Sequence, residues 1–235
     1  MTICELRNVS KEYGTGPTRV RALRDISLTI ERREFTVFSG PSGSGKTTLL
    51  NLVGCLDQPT RGTVLLEDQD VGALSGRELS RLRANRIGFI FQSFNLIPVL
   101  TAVENVELAL QLAGDTTSDR RERAAEVLDQ VGIGDLLDRR PNQLSGGQQQ
   151  RVAVARALVK QPALVIADEP TANLDSTNGE AVIAIMQEMN ERLGLTFLFS
   201  THDPMVIGHA RRVVDLHDGE VATDERRGGV PEASA

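Results

Sequence analysis

The chain reads Gly40-Pro41-Ser42-Gly43-Ser44-Gly45-Lys46-Thr47, and this stretch decides the fold. It fits the pattern G-x-x-x-x-G-K-[S/T], a loop whose backbone N–H groups surround the phosphates of a nucleotide. Its glycines permit the tight, partly left-handed turns that aim successive N–H groups at anionic oxygens. Lys46 adds a positive charge near the β- and γ-phosphates, and Thr47 offers a hydroxyl to Mg²⁺.

The sequence on either side of this loop supports the same interpretation. Residues 35–38 are a short β-rich run, and residues 48–53 have the apolar spacing of a helix that packs on one face. A strand, a loop and a helix in this order place the phosphates at a helix N-terminus. The alternative is a glycine-rich surface turn, which does not require such flanks. We therefore predict nucleotide binding.

Length and composition limit the class of protein. A chain of 235 residues can form one large domain, or one domain with an inserted subdomain. Its net charge of -6 argues against a nucleic-acid partner and against attraction to lipid through a basic patch. The N-terminus lacks a signal peptide, and no apolar run approaches the ~20 residues of a membrane span. We expect a soluble, cytoplasmic protein whose membrane role would need a partner.

The order of the predicted elements indicates an α/β fold. Residues 3–13 and 20–30 read as antiparallel strands, whereas the apolar run 163–168 is typical of a strand buried in a parallel sheet. Two helices follow one another near residues 101–131, the second capped by Ser118. We predict an α/β fold of the phosphate-loop (P-loop) NTPase type, with a mainly parallel core sheet, an antiparallel β subdomain and an inserted α-helical subdomain.

Two carboxylates follow the buried strand 163–168. Asp168 ends the strand and fits an Mg²⁺ ligand of phosphate-loop enzymes. Pro170 steers Glu169 away from the helical region, so the Glu169 carboxylate is held just beyond the strand end, where water could attack a γ-phosphate. An ordinary acidic turn is the alternative.

Two further polar residues follow strands that we expect to end at the same edge. Gln92 comes after strand 87–91 and could reach Mg²⁺ or the attacking water, or could simply start a polar loop. His202 precedes Asp203 and Pro204, which are typical of a helix cap and a first helical position. We expect His202 to contact the γ-phosphate.

Other stretches are less specific by themselves. Ser145-Gly146-Gly147-Gln148 opens a helix and offers a second anion-binding N-terminus. Residues 177–180 look like a capping box that starts another helix. The apolar loop 93–100 is either a docking surface or subdomain core. Tyr13 either stacks on an adenine or is a half-buried strand residue.

Taken in order, these motifs resemble those of the ATP-binding cassette (ABC) ATPases over residues 3 to about 222. The resemblance rests on the phosphate loop Gly40 to Thr47, Gln92, the signature Leu144-Ser145-Gly146-Gly147-Gln148, Asp168-Glu169, Asn173-Leu174-Asp175 and His202. Tyr13 matches the adenine-stacking aromatic of that family. The resemblance implies a cassette domain at 1–225, a helical insert at about 93–160 and a disordered tail at 226–235.

The resemblance also implies a head-to-tail dimer with a second copy, in which the phosphate loop of one chain and the signature of the other enclose each ATP. Glu169 would be the general base, Lys46 and His202 would stabilise the γ-phosphate, and Gln92 would act as a sensor. The Mg²⁺ shell would be Thr47, Gln92 and Asp168. The ATP-binding residues would be Tyr13, Gly40, Pro41, Ser42, Gly43, Ser44, Gly45, Lys46, Thr47, Thr48, Ser145, Gly146, Gly147, Gln148 and Asp175.

Within that family, residues 88–92, 95–98, 148–151 and 167–171 are similar to the lipoprotein-release and macrolide-export branch. That branch also includes the ATPase of a cell-division signalling pair. The branch implies an integral membrane permease that docks near Phe94–Leu100, with this chain on the inner face of the membrane. Asn173 and Ala172 depart from the usual residues. A GTPase is disfavoured because no Asn-Lys-x-Asp guanine reader occurs, and soluble cassette ATPases of DNA or ribosomes usually carry two cassettes or a coiled-coil insertion.

Overall fold

The computed structural model describes residues 1–227. Within this range there are ten strands and seven α-helices. The strands are β1 (Thr2–Tyr13), β2 (Val20–Glu31), β3 (Phe35–Ser39), β4 (Arg61–Leu66), β5 (Gln69–Asp70), β6 (Ile87–Phe91), β7 (Leu164–Asp168), β8 (Thr196–Ser200), β9 (Arg212–His217) and β10 (Glu220–Arg226). The helices are α1 (Lys46–Val53), α2 (Gly76–Arg86), α3 (Ala102–Leu112), α4 (Arg120–Gln130), α5 (Gly146–Leu158), α6 (Ser176–Leu193) and α7 (Pro204–His209).

The strands form two sheets. The larger sheet has the order β10-β9-β3-β8-β7-β6, in which only the β10–β9 pair is antiparallel. The smaller sheet, β2-β1-β4-β5, is antiparallel throughout. Because β3, β7 and β8 are parallel neighbours, the loops after their carboxyl ends meet at one edge of the sheet. The predicted α/β fold class is confirmed.

Helix α1 lies in an apolar layer between the two sheets. Leu49 and Leu52 on α1 are fully buried, together with Ile26 of β2 and Leu198 of β8. A second apolar layer lies between the larger sheet and helices α3 to α6. Burial of α1 fixes the direction in which its N-terminus, and therefore the phosphate loop, points.

A buried ion pair ties the two sheets together. Arg212 of β9 donates to the Glu34 carboxylate at 2.9 Å and to the backbone oxygen of Thr29 in β2 at 2.7 Å. Its second Nη donates to Asp224 at 2.7 Å. The Arg212 and Glu34 side chains are only 6% and 5% exposed. Loss of either side chain would remove a buried polar contact between β9 and the connection from β2 to β3, so this pair links the two sheets.

Helices α3, α4 and α5 lie within the predicted insert and pack on one another, and α5 also packs on β6. The carbonyl oxygens of Ile97, Leu100 and Thr101 accept hydrogen bonds from the buried Asn105 side chain, which fixes the loop before α3. Among residues 1–227, no helix combines the length and apolar character needed to cross a bilayer.

Two predicted helix starts are wrong. Helix α4 does not begin with a Ser118 cap, because Asp119 occupies the cap position and makes no side-chain capping bond. Helix α6 is not started by a capping box at Thr177. Asp175 caps it instead, and the Asp175 carboxylate accepts a hydrogen bond from the Asn178 N–H at 2.9 Å.

The predicted tail starts too early in the chain. Arg226 is the last residue of β10 and pairs with Arg212 of β9. The Arg227 N–H continues this pairing and donates to the Arg211 oxygen at 2.7 Å. Both residues therefore belong to the fold. The rest of the predicted tail, residues 228–235, lies outside the described residues.

Candidate nucleotide site

The phosphate loop has the backbone that the glycine pattern requires. Gly40 has φ +130°, and a Cβ there would lie 2.1 Å from the Leu216 oxygen. Gly45 has φ +103°, and its Cβ would lie 2.7 Å from the Ala22 oxygen. Both positions are left-handed and close to other backbone, so a larger residue at either one would displace the loop.

Lys46 lies at the centre of this loop. Lys46 is only 9% exposed, and its ammonium group donates to the backbone oxygens of Gly40 at 2.7 Å and Pro41 at 2.8 Å. The charge is therefore held at the first residue of α1, the end of the helix that favours anions.

A cleft of about 580 Å³ opens above the loop. It brings the phosphate loop together with Glu169 and His202, which follow β7 and β8. Gly40 and Ser44 belong to the loop but do not line the cleft. The lining residues are Val20, Arg21, Ala22, Arg24, Pro41, Ser42, Gly43, Gly45, Lys46, Thr47, Thr48, Glu169, Ser200, His202, Asp218 and Gly219.

Thr47 and Asp168 place two oxygen atoms that could bind a metal ion close together beside the cleft. The Thr47 hydroxyl lies 3.4 Å from Asp168 Oδ1. Burial raises the pKa of the Asp168 carboxyl above its ordinary value, and this outweighs the opposing effects of hydrogen bonds and of the Lys46 charge. Mg²⁺ prefers oxygen ligands such as a hydroxyl and a carboxylate, and a bound cation would offset the cost of burying the Asp168 charge. The residues present therefore fit a magnesium ion.

Glu169 is held in an uncommon backbone conformation. Its φ is +47°, a left-handed value and not the extended backbone that a following proline favours, and its N–H donates to the Ser200 oxygen at 2.8 Å. One carboxylate oxygen accepts a hydrogen bond from the Thr201 hydroxyl at 2.9 Å. The other lies 2.9 Å from Nδ1 of His202. The carboxylate is thus fixed at the edge of the cleft.

The signature residues 145–148 lie elsewhere. Ser145 caps α5 in a reciprocal capping box with Gln148. A Cβ at Gly147 would lie 2.6 Å from the Asn178 side-chain oxygen, and the Asn178 amide donates to Asp175 at 2.6 Å. Within the described range, the lining of the cleft includes neither residues 145–148 nor Asp175. The structure therefore separates the two groups of predicted ATP-binding residues.

Gln92 follows β6 directly and has an exposed side chain. The last residue of that strand, Phe91, pairs with Asp168 of β7. The Gln92 backbone oxygen accepts a hydrogen bond from the Asn173 amide at 2.9 Å. Gln92 is therefore at the expected sheet edge, although its side chain does not line the cleft.

Tyr13 also lies outside the cleft lining. Its ring is exposed on the surface, its hydroxyl donates to Asp57 at 2.8 Å, and the Lys11 ammonium lies 4.9 Å from the ring centroid. Partial desolvation of the hydroxyl, together with its bond to Asp57, raises the pKa of Tyr13. The ring is thus held by two side chains at the end of β1.

The sequence interpretation missed Thr201, whose buried hydroxyl contacts the Glu169 carboxylate. Its only signal in the sequence is its position between a buried strand and His202. Arg21 and Arg24 of β2 and Asp218 also line the cleft and were not expected there.

Comparison with known proteins identifies the family. The ABC transporter family model matches residues 23–172. The lipoprotein-releasing system ATP-binding protein LolD of Anaeromyxobacter dehalogenans is 48% identical over 228 residues, which cover 96% of this chain and 95% of LolD. The macrolide export ATP-binding/permease protein MacB of Syntrophobacter fumaroxidans is 47% identical over 237 residues, which cover 100% of this chain and 33% of MacB. The chain thus spans nearly all of LolD but about a third of MacB.

A solved structure shares the fold. It is the dimeric structure of the ATP-binding cassette MJ0796, in a post-hydrolysis state bound to ADP and Pi, with a TM-score of 0.89 and 44% sequence identity. The match covers 97% of this chain and 100% of that chain. The MJ0796 sequence comes from Methanocaldococcus jannaschii. The family match, the sequence identity and the shared fold agree with the phosphate-loop cleft, and the chain therefore belongs to the ABC transporter family as an ATP-binding ATPase cassette.

Proposed function

We propose that two copies of this chain close head to tail around two ATP molecules and drive a separate membrane permease. The observation that carries the proposal is the separation of the phosphate-loop cleft from the signature residues. In one chain, Lys46, Glu169 and His202 line the cleft, whereas the exposed Ser145 starts α5 and does not line that cleft. Each group is half of a nucleotide site.

Electrostatics supports the pairing of these halves. Phosphoryl transfer depends on positioning and on neutralisation of charge over the γ-phosphate oxygens. One cleft supplies the Lys46 ammonium, the loop N–H groups and the His202 imidazole. The first N–H groups of α5 and the Ser145 hydroxyl add donors on a favourable helix dipole when they come from a second copy. A dimer therefore completes a set of donors that one chain lacks.

We assign each residue of the proposed site a role. Glu169 takes the proton of the attacking water, and Lys46 and His202 bind the γ-phosphate. Thr47, Asp168 and Gln92 would hold Mg²⁺, which neutralises phosphate charge. Tyr13 would stack on the adenine, and Asp175, which caps α6 beside Gly147, organises the contact between the sites.

Dilution tests the dimer directly. If each site needs two chains, the ATPase rate per chain should fall in proportion to protein concentration once the chains separate. A fluorescent ATP analogue should still bind each monomer under those conditions, because the phosphate loop is complete in one chain. A rate per chain that stays constant in samples shown by light scattering to be monomeric would contradict the proposal.

The permease would be of the lipoprotein-release or macrolide-export type, as in the relatives LolD and MacB, and would dock near Phe94–Leu100. In this segment Val99 is 72% exposed, whereas Leu96 packs against the apolar core. The Arg156 guanidinium donates to the backbone oxygens of Phe94 and Asn95. The segment therefore presents an apolar side chain from a backbone held by α5.

Val99→Asp should abolish co-purification of the permease from detergent-solubilised membranes of the source cells. Val99 is exposed, so its replacement should leave stability and basal ATPase activity nearly unchanged. Leu193→Asp is the matched control, because Leu193 is 55% exposed at the end of α6. Retention of the permease by Val99→Asp would exclude this docking surface. The permease itself would decide between export, lipoprotein release and division signalling.

A further inference from the structure

We infer that Thr201 is a positioning residue for the Glu169 carboxylate, an inference that rests on the proposed role of Glu169 as the base. The Thr201 hydroxyl lies 2.9 Å from Oε2 of Glu169. Thr201 is fully buried, whereas the Glu169 side chain is 21% exposed and lines the cleft. A buried hydroxyl thus supports the carboxylate from behind.

A second contact involves the same hydroxyl group of Thr201. The backbone N–H of Asp203 donates to the hydroxyl oxygen of Thr201 at 3.1 Å. A hydroxyl has one proton to donate, and here its oxygen already accepts a bond from the backbone. The Thr201 hydroxyl can therefore donate its one proton to the Glu169 carboxylate while its oxygen accepts the backbone bond.

The sheet holds Thr201 in place. Its N–H donates to the Phe38 oxygen of β3 at 3.2 Å. Asp203 is fixed in turn, because its carboxylate accepts hydrogen bonds from the Thr171 hydroxyl at 3.1 Å and from the Met205 N–H at 2.9 Å. The hydroxyl is therefore supported by β3 and by the start of α7.

His202 cannot replace this support. Its side chain is 78% exposed, although its Nδ1 lies 2.9 Å from Glu169. When His202 turns to the γ-phosphate, as the proposed function requires, the Thr201 bond remains on the other carboxylate oxygen. Displacement of a catalytic group by about 1 Å can cost roughly a hundredfold in rate, so this remaining bond matters for turnover.

Thr201→Val is the direct test, because valine keeps the branched shape and replaces the hydroxyl by a methyl group. We expect kcat for ATP to fall by roughly tenfold to a hundredfold, with KM changed by less than about twofold. Thr201→Ser, which keeps the hydroxyl, should restore most of kcat. An unchanged kcat in Thr201→Val would overturn the inference, as would a serine variant as slow as the valine variant.

Thr171→Val is the matched control. Thr171 is 5% exposed and donates a hydroxyl bond to Asp203, in the same network but not to Glu169. Both valine variants should lose similar thermal stability, but only Thr201→Val should lose turnover. Equal losses of kcat would show a structural role. If Thr201→Val does not fold, Thr201→Cys replaces it, since a thiol is a weak donor and should also lower kcat.

A double variant separates this inference from the proposed function. In a Glu169→Gln background the base is absent, so Thr201→Val should slow single-turnover hydrolysis little further. If Thr201→Val slows single-turnover hydrolysis by the same factor in both backgrounds, Thr201 does not act through Glu169, and the inference alone fails. If Glu169→Gln by itself hydrolyses ATP at the normal rate, the proposed role of the base fails first.

Discussion

Glu169→Gln is expected to bind ATP normally and to lose roughly 10² to 10⁴ in turnover, the usual contribution of a positioned base. The glutamine oxygen can still accept the hydrogen bond from Thr201, so the local structure should persist. The amide cannot take a proton from water. Single-turnover phosphate release and equilibrium binding of ATP would measure the two effects separately.

The same variant should accumulate as an ATP-bound dimer on gel filtration, because closure no longer leads to hydrolysis. Glu188→Gln is a suitable control, since Glu188 is 52% exposed on α6 and pairs with Arg192 there. It should hydrolyse ATP at the normal rate and show no trapped dimer. Normal turnover by Glu169→Gln would remove Glu169 from its role.

Ser145→Arg should abolish ATP hydrolysis and leave nucleotide binding by the monomer intact. Ser145 is exposed at the start of α5 and does not line the cleft of its own chain. In the proposed dimer, an arginine there would fill the space needed by the γ-phosphate of the ATP bound to the second copy. Loss of the helix cap costs only about 1 kcal/mol, so the chain should still fold.

Ser75→Arg provides the control for this loss of a cap. Ser75 starts α2 in the same type of reciprocal capping box, with Glu78 as its partner. Both variants should lose comparable stability in thermal unfolding, and only Ser145→Arg should lose ATPase activity. If Ser145→Arg retained hydrolysis, a site shared between two chains would be wrong.

Much of the site could be predicted from the sequence because it depends on backbone geometry that single residues dictate. The glycines of the phosphate loop require left-handed turns, and β3 and α1 flank them as expected. The apolar run that became β7 ends at Asp168, so the carboxylate had to lie at the carboxyl edge of a parallel sheet. In both cases the residues in the local sequence favour the same structure that packing with distant parts of the chain requires.

The remainder depends on contacts between residues far apart in the chain. The bond from Thr201 to Glu169 requires β7 and β8 to be neighbours and Glu169 to have a positive φ, and no sequence pattern specifies both. Helix α6 shows a different limit. Asp175 and Thr177 are both good caps, and the sequence pattern does not show that Asp175 is the one whose carboxylate accepts the Asn178 N–H.

Lys46 has a consequence for the speed of nucleotide capture. Its ammonium donates to two loop carbonyls, so contacts within the chain themselves support the shape of the phosphate loop. An incoming triphosphate only exchanges one set of oxygen partners for another and does not have to order a disordered segment. The rate of association should therefore be governed by diffusion and charge, and little entropy should be lost by the protein on binding.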